Sequence, residues 1–377
     1  MPRSPVLADA PQLSRRGLVL GASGAGLGAL LGSGLSALAC GPEPVPDRRR
    51  ELLRSWTHDF LLAHYAEFGV KLEELSSASV PLEAAPDAEK LRAAQTAWRA
   101  ARRPWKEAEL FKFGPVVDEP LRFGSRIDFW PARPDAIESV LGGSDAIDLE
   151  TLGAAAKGLP VVEYLLFGDG ALDGFREASR RYEYLRLLLG DLEVQARALA
   201  EAWDPRGGDY QRELVEAGRG SATYDTLSMA LSEVVNRMGF TVENIRADKL
   251  GAGIGPDGTP QPELLESVFS GRSIADIHDN LTGIETLFFG DPAARVLALD
   301  DYLVHRGFHL AGRMRAELTS SRAALDRINL PLSVAIDEEQ PLVREAIDRL
   351  AALQRLIQVD VIGALSLNVR FNDNDGD

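Results

Sequence analysis

The run GLPVVEYLLFG at residues 158–168 sets a single carboxylate, Glu163, inside a strongly apolar stretch. Glu is rarely buried without a partner. Glu163 therefore either ligates a cation or holds an interface, or it is a structural carboxylate satisfied by Arg or by N–H groups at a helix start. Two further acids, Asp118 and Asp128, lie in the segment FKFGPVVDEPLRFGSRIDFWPARP (111–134). Converging with Glu163, they would supply oxygen ligands for a hard cation or ferric iron. The other account is an Arg–Asp lattice with Arg126 that pins the segment, with Phe123 and Trp130 as its core contacts. Asp301, His305 and His309 follow at four-residue spacing. On one helical face the two imidazoles can bind a transition metal. Gly307 weakens that helix, and surface or core-edge histidines are the alternative. His58, His64 and His278 suggest no site.

The elements that must position these residues are helical. Apolar residues recur at helical spacing over 50–77, 87–105 and 175–203, and helices are expected again at about 209–247, 274–289, 295–320 and 341–366. Pro104 predicts a kink or stop. Loop chemistry marks 204–209 (DPRGGD) and 250–262 (LGAGIGPDGTPQP). The expectation is an all-α fold of two four-helix bundles, residues 50–206 and 207–377. The 111–134 segment is long, non-periodic and rich in proline and aromatics, which points to function rather than filler.

The ends and the charge narrow the class. Ser14-Arg15-Arg16 precedes an uncharged Gly/Ala/Leu run that ends at Ala39, so residues 1–39 read as an export signal of the twin-arginine type. Cys40 is the sole cysteine, which excludes an intramolecular disulfide and sits where a lipobox cysteine would be acylated. Residues 40–49 then read as a lipidated cysteine and Pro-rich tether, with Gly41 favouring the outer membrane. Residues 1–39 hold three arginines and one aspartate, so the net charge of −16 becomes −18 in the mature chain. That argues against nucleic-acid partners and against a basic membrane-binding face, leaving the lipid as the membrane contact. The C-terminal FNDNDGD is not an EF-hand, because Phe371 falls at the first ligand position. There is no phosphate loop and no nucleophile-elbow context for a serine.

Several blocks together resemble the imelysin-like family of exported bacterial proteins, classed among metallopeptidases and linked to iron uptake. They are 98–131, the 158–168 run, Asp248-Lys249-Leu250, 266–290 (ESVFSGRSIADIHDNLTGIETLFFG) and the C-terminal ending. The resemblance implies an all-α protein of two bundles with its G-x-H-x-x-E signature near their junction. Gly158 and Glu163 match that signature, whereas Pro160 stands at the His position. Proline offers no ring nitrogen; its fixed φ suits only a first helical turn. A zinc-peptidase mechanism thereby loses a ligand. The expected function is a non-catalytic envelope binding protein for iron, another divalent cation or an iron compound, serving an outer-membrane or periplasmic uptake system. Its acidic site would use Glu163, Asp118 and Asp128, with Trp130 and Tyr164 as walls. The rivals are a metallopeptidase that recruits His305 or His309, and a structural or interaction protein.

Overall fold

Side-chain caps from Asp47, Asp87 and Thr226 start three of the helices. The computed structural model describes residues 47–368. Asp47 accepts a hydrogen bond from the Arg49 N–H at 3.0 Å and opens α1 (Arg48–Ser55), which runs through a π-helical turn (Trp56–Leu61) into α2 (Leu62–Ser79). Asp87 accepts from the N–H groups of Glu89 and Lys90 at the start of α3 (Ala88–Glu107). Next come α4 (Gly158–Phe167), α5 (Ser179–Trp203) and α6 (Leu227–Asn244), the last continuing as a π-helical turn over Ile245–Gly251. The remaining long helices are α7 (Ser273–Phe289), α8 (Ala311–Asp326) and α9 (Gln340–Arg355), and α9 passes into a third π-helical turn (Leu356–Val361). Among the described residues there is no strand, only an isolated bridge between Asp291 and Val296. The fold is all-α, as its helical periodicity predicts.

In the first half α2 packs on α3 and α5, while α4 bridges α3 and α5. In the second, α9 packs on α6 and α8. The contact that matters for function crosses between the halves, where α3 lies along α7. It is close because Gly283 has no side chain. A Cβ there would sit 2.0 Å from the Glu107 carbonyl oxygen. The core includes fully buried Trp56, Phe60, Phe68, Trp98, Phe111 and Trp203. Burial of this many large apolar side chains is the main drive for folding.

Several boundaries differ from the periodic pattern. The helix expected over 209–247 is two helices, Gln211–Val215 and α6, because Gly218 and Gly220 adopt positive φ between them. The helix expected over 295–320 likewise divides into Leu299–His305 and α8, with Gly307 at φ 86°. His305 ends one helix and His309 lies in the connection, so Asp301, His305 and His309 do not share a helical face. Pro104 neither stops nor ends α3; it is buried within the last turns. The 250–262 segment is not wholly non-helical, since Ala252–Ile254 forms a helical turn. The first helix starts at Arg48, inside the expected tether. The export signal, Cys40 and the FNDNDGD ending lie outside the described residues. Among the described residues no helix is long and apolar enough to cross a membrane.

Candidate functional site

On α3 the apolar stripe Leu91, Ala94, Trp98 and Ala101 is interrupted by two cations one turn apart, Arg102 and Lys106, both fully buried. Their partners come from the rest of the chain. Arg102 donates to Asp128 Oδ1 at 2.5 Å and to Asp276 Oδ2 at 2.6 Å, and contacts Glu266 Oε1 at 3.1 Å. Lys106 reaches Asp128 Oδ2 at 2.7 Å, Glu109 Oε2 at 3.2 Å and, more closely, Glu266. A third buried cation, Lys249, extends from the π-helical turn after α6 to Glu109 at 2.7 Å and Glu266 Oε2 at 2.9 Å. Arg272 closes the far side against Asp276 and Asp279. Its 2.8 Å contact with Asp276 Oδ1 is ionic, at an angle unsuited to a hydrogen bond.

The remaining lone pairs and protons are largely satisfied. Asp128 Oδ2 accepts from Trp105 Nε1 at 2.7 Å, and Ser267 Oγ donates to Asp276 at 2.5 Å. Asn280 accepts from Lys249 at 2.8 Å and donates to Glu109 at 2.7 Å and to the Lys106 carbonyl at 2.8 Å. Burial alone would raise Asp128, Asp276 and Glu109, but Arg102 and Lys106 hold Asp128 and Asp276 below the ordinary carboxylate range, as Lys106 and Lys249 do Glu109. Burial likewise opposes the charge on Lys106, yet Asp128, Glu109 and Glu266 keep it firmly protonated. This is a lattice of fixed charges that joins α3, the 111–134 segment, the turn after α6 and α7.

Glu163 stands beside the lattice and outside it. Gly158 opens α4 at φ 82°, and a Cβ there would meet the Ile127 carbonyl oxygen at 2.5 Å, so the helix start is pressed against the 111–134 segment. Pro160 occupies the first turn, where its missing N–H would have had no intrahelical acceptor. Glu163 is 2% exposed and accepts from the Ser270 N–H at 2.7 Å. Among the described residues no Lys, Arg or His forms an ion pair with it. Burial pushes its carboxyl up to about 7, against the pull of Ser270 and of Arg102; Asp276 adds to the rise, and Arg99 feels its charge in turn.

Two cavities lie on either side of Trp130. One, of about 530 Å³, is lined by Trp105, Phe111, Phe129 and Trp130, with Glu109, Asp128, Asp248, Lys112 and Arg122 at its polar side. The other, of about 220 Å³, contains Pro160, Glu163, Ser267 and Phe269. Trp130 lines both. Tyr164, expected as a wall, lines neither cavity; its ring is edge-on to Phe269 at 5.0 Å and its hydroxyl donates to Glu138 at 2.7 Å.

The expected acidic candidates are thus placed differently from one another. Asp128 is spent on Arg102, Lys106 and Trp105, Asp118 is exposed on the surface of its segment, and Glu163 faces the small cavity. The lattice account holds for Asp128, with Arg102 in the place foreseen for Arg126, which instead donates to the Pro120 carbonyl at 3.0 Å. Phe123 is in the core. His305 and His309 are exposed. Among the described residues no group of three His, Cys, Asp or Glu side chains is placed to hold a metal ion. Carboxylates already neutralised by buried cations do not suit a bare metal.

Comparison with known proteins follows the same residues. The imelysin family model, which carries the label of a peptidase family, matches residues 61–357. Iron-regulated protein A of Synechococcus elongatus is 26% identical over 286 residues, covering 75% of this chain and 76% of that protein. Two solved structures share the fold. An iron-regulated protein A precursor from Parabacteroides distasonis superposes with a TM-score of 0.70 at 20% identity, over 86% of this chain and 96% of its own. An imelysin-like protein from Psychrobacter arcticum gives 0.69 at 18%, over 86% and 97%. A family match that spans most of the sequence, from α2 to the last π-helical turn and through every residue of the lattice, places this chain in the imelysin family.

Proposed function

We propose that this protein is a non-catalytic binding protein of the cell envelope that serves iron acquisition by holding an iron compound, rather than a bare ion, in the 530 Å³ cleft. The carrying observation is the pairing of that aromatic cleft with Glu109 and Asp128, carboxylates already neutralised by Lys106, Arg102 and Lys249. Its volume falls in the usual range for small-molecule sites, which are mostly apolar with a few fixed polar groups. The iron connection comes from the relative named for its regulation by iron. Export and lipid attachment at Cys40 rest on the sequence of the first forty residues. The peptidase alternative needs a metal with an open coordination position and a general base. Pro160 supplies no ligand to one, and Asp128 is taken.

Titration calorimetry of the full chain with ferric acetohydroxamate and with haemin tests this reading. One of the two is expected to bind at one site per chain, and Trp130→Ala to weaken it about tenfold or more, as loss of an aromatic anchor does. Absence of binding by both, or metal-dependent cleavage of unfolded protein, would contradict it.

A further inference from the structure

We propose that the 220 Å³ cavity beside Glu163 is a binding site for a small aliphatic ammonium ion. The inference deepens the binding-protein reading and rests on it for the role of this region, but its chemistry comes from the cavity alone. The charged groups that line it are Glu163 and Glu263, both acidic, and no basic side chain does. Apart from Ser267, its other walls are apolar or aromatic, including Trp130, Pro160, Leu265 and Phe269. Glu163 is buried and, among the described residues, lacks a cationic partner, although the neighbouring carboxylates each have one or more.

That combination selects among cations. A calcium or magnesium ion needs about six oxygen ligands, and two glutamates among prolines and aromatics fall well short. An alkylammonium needs one strong acceptor for its head and an apolar wall for its carbons. Aromatic rings add to its attraction through their electron-rich faces. Glu163 supplies the acceptor, Leu265 and the prolines the wall, and Trp130 and Phe269 the rings. The volume is below that of drug-sized pockets, so a short amine is the fitting occupant.

The test is calorimetric titration of the full chain at pH 8 with n-pentylamine and, in parallel, pentan-1-ol, which has the same carbon chain without the charge. The amine is expected to bind at least tenfold tighter than the alcohol, and Glu163→Gln, with its fold checked by circular dichroism, to remove that preference. Equal binding of amine and alcohol by the unmodified chain would overturn the proposal, whether or not the variant folds. So would an undiminished preference in the variant. The same samples titrated with the iron compounds separate the two claims. Iron-compound binding without amine selectivity sinks this inference alone, whereas amine selectivity without iron-compound binding sinks the iron reading alone.

Discussion

Lys106→Met is expected to destabilise the protein by about 3–5 kcal/mol, the loss typical when one member of a buried ion lattice is removed. Lys106 is fully buried and touches Asp128, Glu109 and Glu266. Methionine would fill much the same volume but leave three carboxylates sharing Arg102 and Lys249. The cost is therefore charge left unpaired rather than a cavity. A second substitution distinguishes these causes: adding Glu266→Gln removes one of the stranded charges and should recover part of the loss. Urea unfolding of the single and double variants measures both effects. A loss below about 1 kcal/mol for Lys106→Met would show that the lattice is weakly held.

The second large effect concerns Glu163 and pH. Its carboxyl is raised to about 7 by burial, above the usual 4.5 of an unfolded chain. A raised acid contributes stability that is complete below the unfolded value and is lost as pH climbs through the folded one. The native state should thus be penalised by about 3 kcal/mol at pH 8 relative to pH 4.5, from a difference of about 2.5 pH units at 1.36 kcal/mol each. Glu163→Gln has nothing to ionise, so its stability relative to the unmodified protein should rise by that amount across the same interval. Asp279, raised by burial to about 6, acts in the same direction, but it is present in both proteins and drops out of the comparison. Asp128, Asp276 and Glu109 act in the opposite sense, losing their contribution only as the medium becomes more acid than the ordinary carboxylate range. Urea unfolding of both proteins at pH 5 and pH 8 checks this. A difference that does not change with pH would mean that Glu163 is already ionised at pH 5.

A native carboxyl held under strain at neutral pH fits a site better than a strut. Asp128, Asp276 and Glu109 are stabilised as anions by the fold, and the lattice fixes α3, α7 and the 111–134 segment in place. Glu163 is penalised by the fold and faces a cavity. Binding a cation would offset that penalty, which is why the free acid, and not the paired ones, is the place to look for a ligand.

Much of this was legible in the letters, and the limits are physical. The apolar period of α3 and α5 marks those helices directly. The blocks 98–131, 158–168, 248–250 and 266–290 are the ones that meet in the folded chain. Arg102 and Lys106 were hidden because a charged residue reads as solvated unless a partner is known, and the partners Glu266 and Asp276 lie 160–174 residues away. The available signal was the spacing of Trp98, Arg102 and Lys106 at four-residue steps, which puts both cations on the buried stripe. The break at 306–310 is hard to read because Met314, Leu318 and Leu325 fall on the same helical face as Leu303. The glycines Gly218, Gly220 and Gly307, all at positive φ, mark the interruptions. Asp118 and Asp128 look alike in sequence, and only the position of α3 decides that one is exposed and the other locked.

The central claim is that this imelysin-family chain carries an intact iron compound in a preformed cleft and performs no metal-dependent hydrolysis. Native mass spectrometry of the full chain after incubation with ferric acetohydroxamate or haemin tests it most directly. The account predicts a mass increase equal to one whole iron compound, organic part included. An increase equal to a bare metal ion, with the organic ligand released, would contradict it.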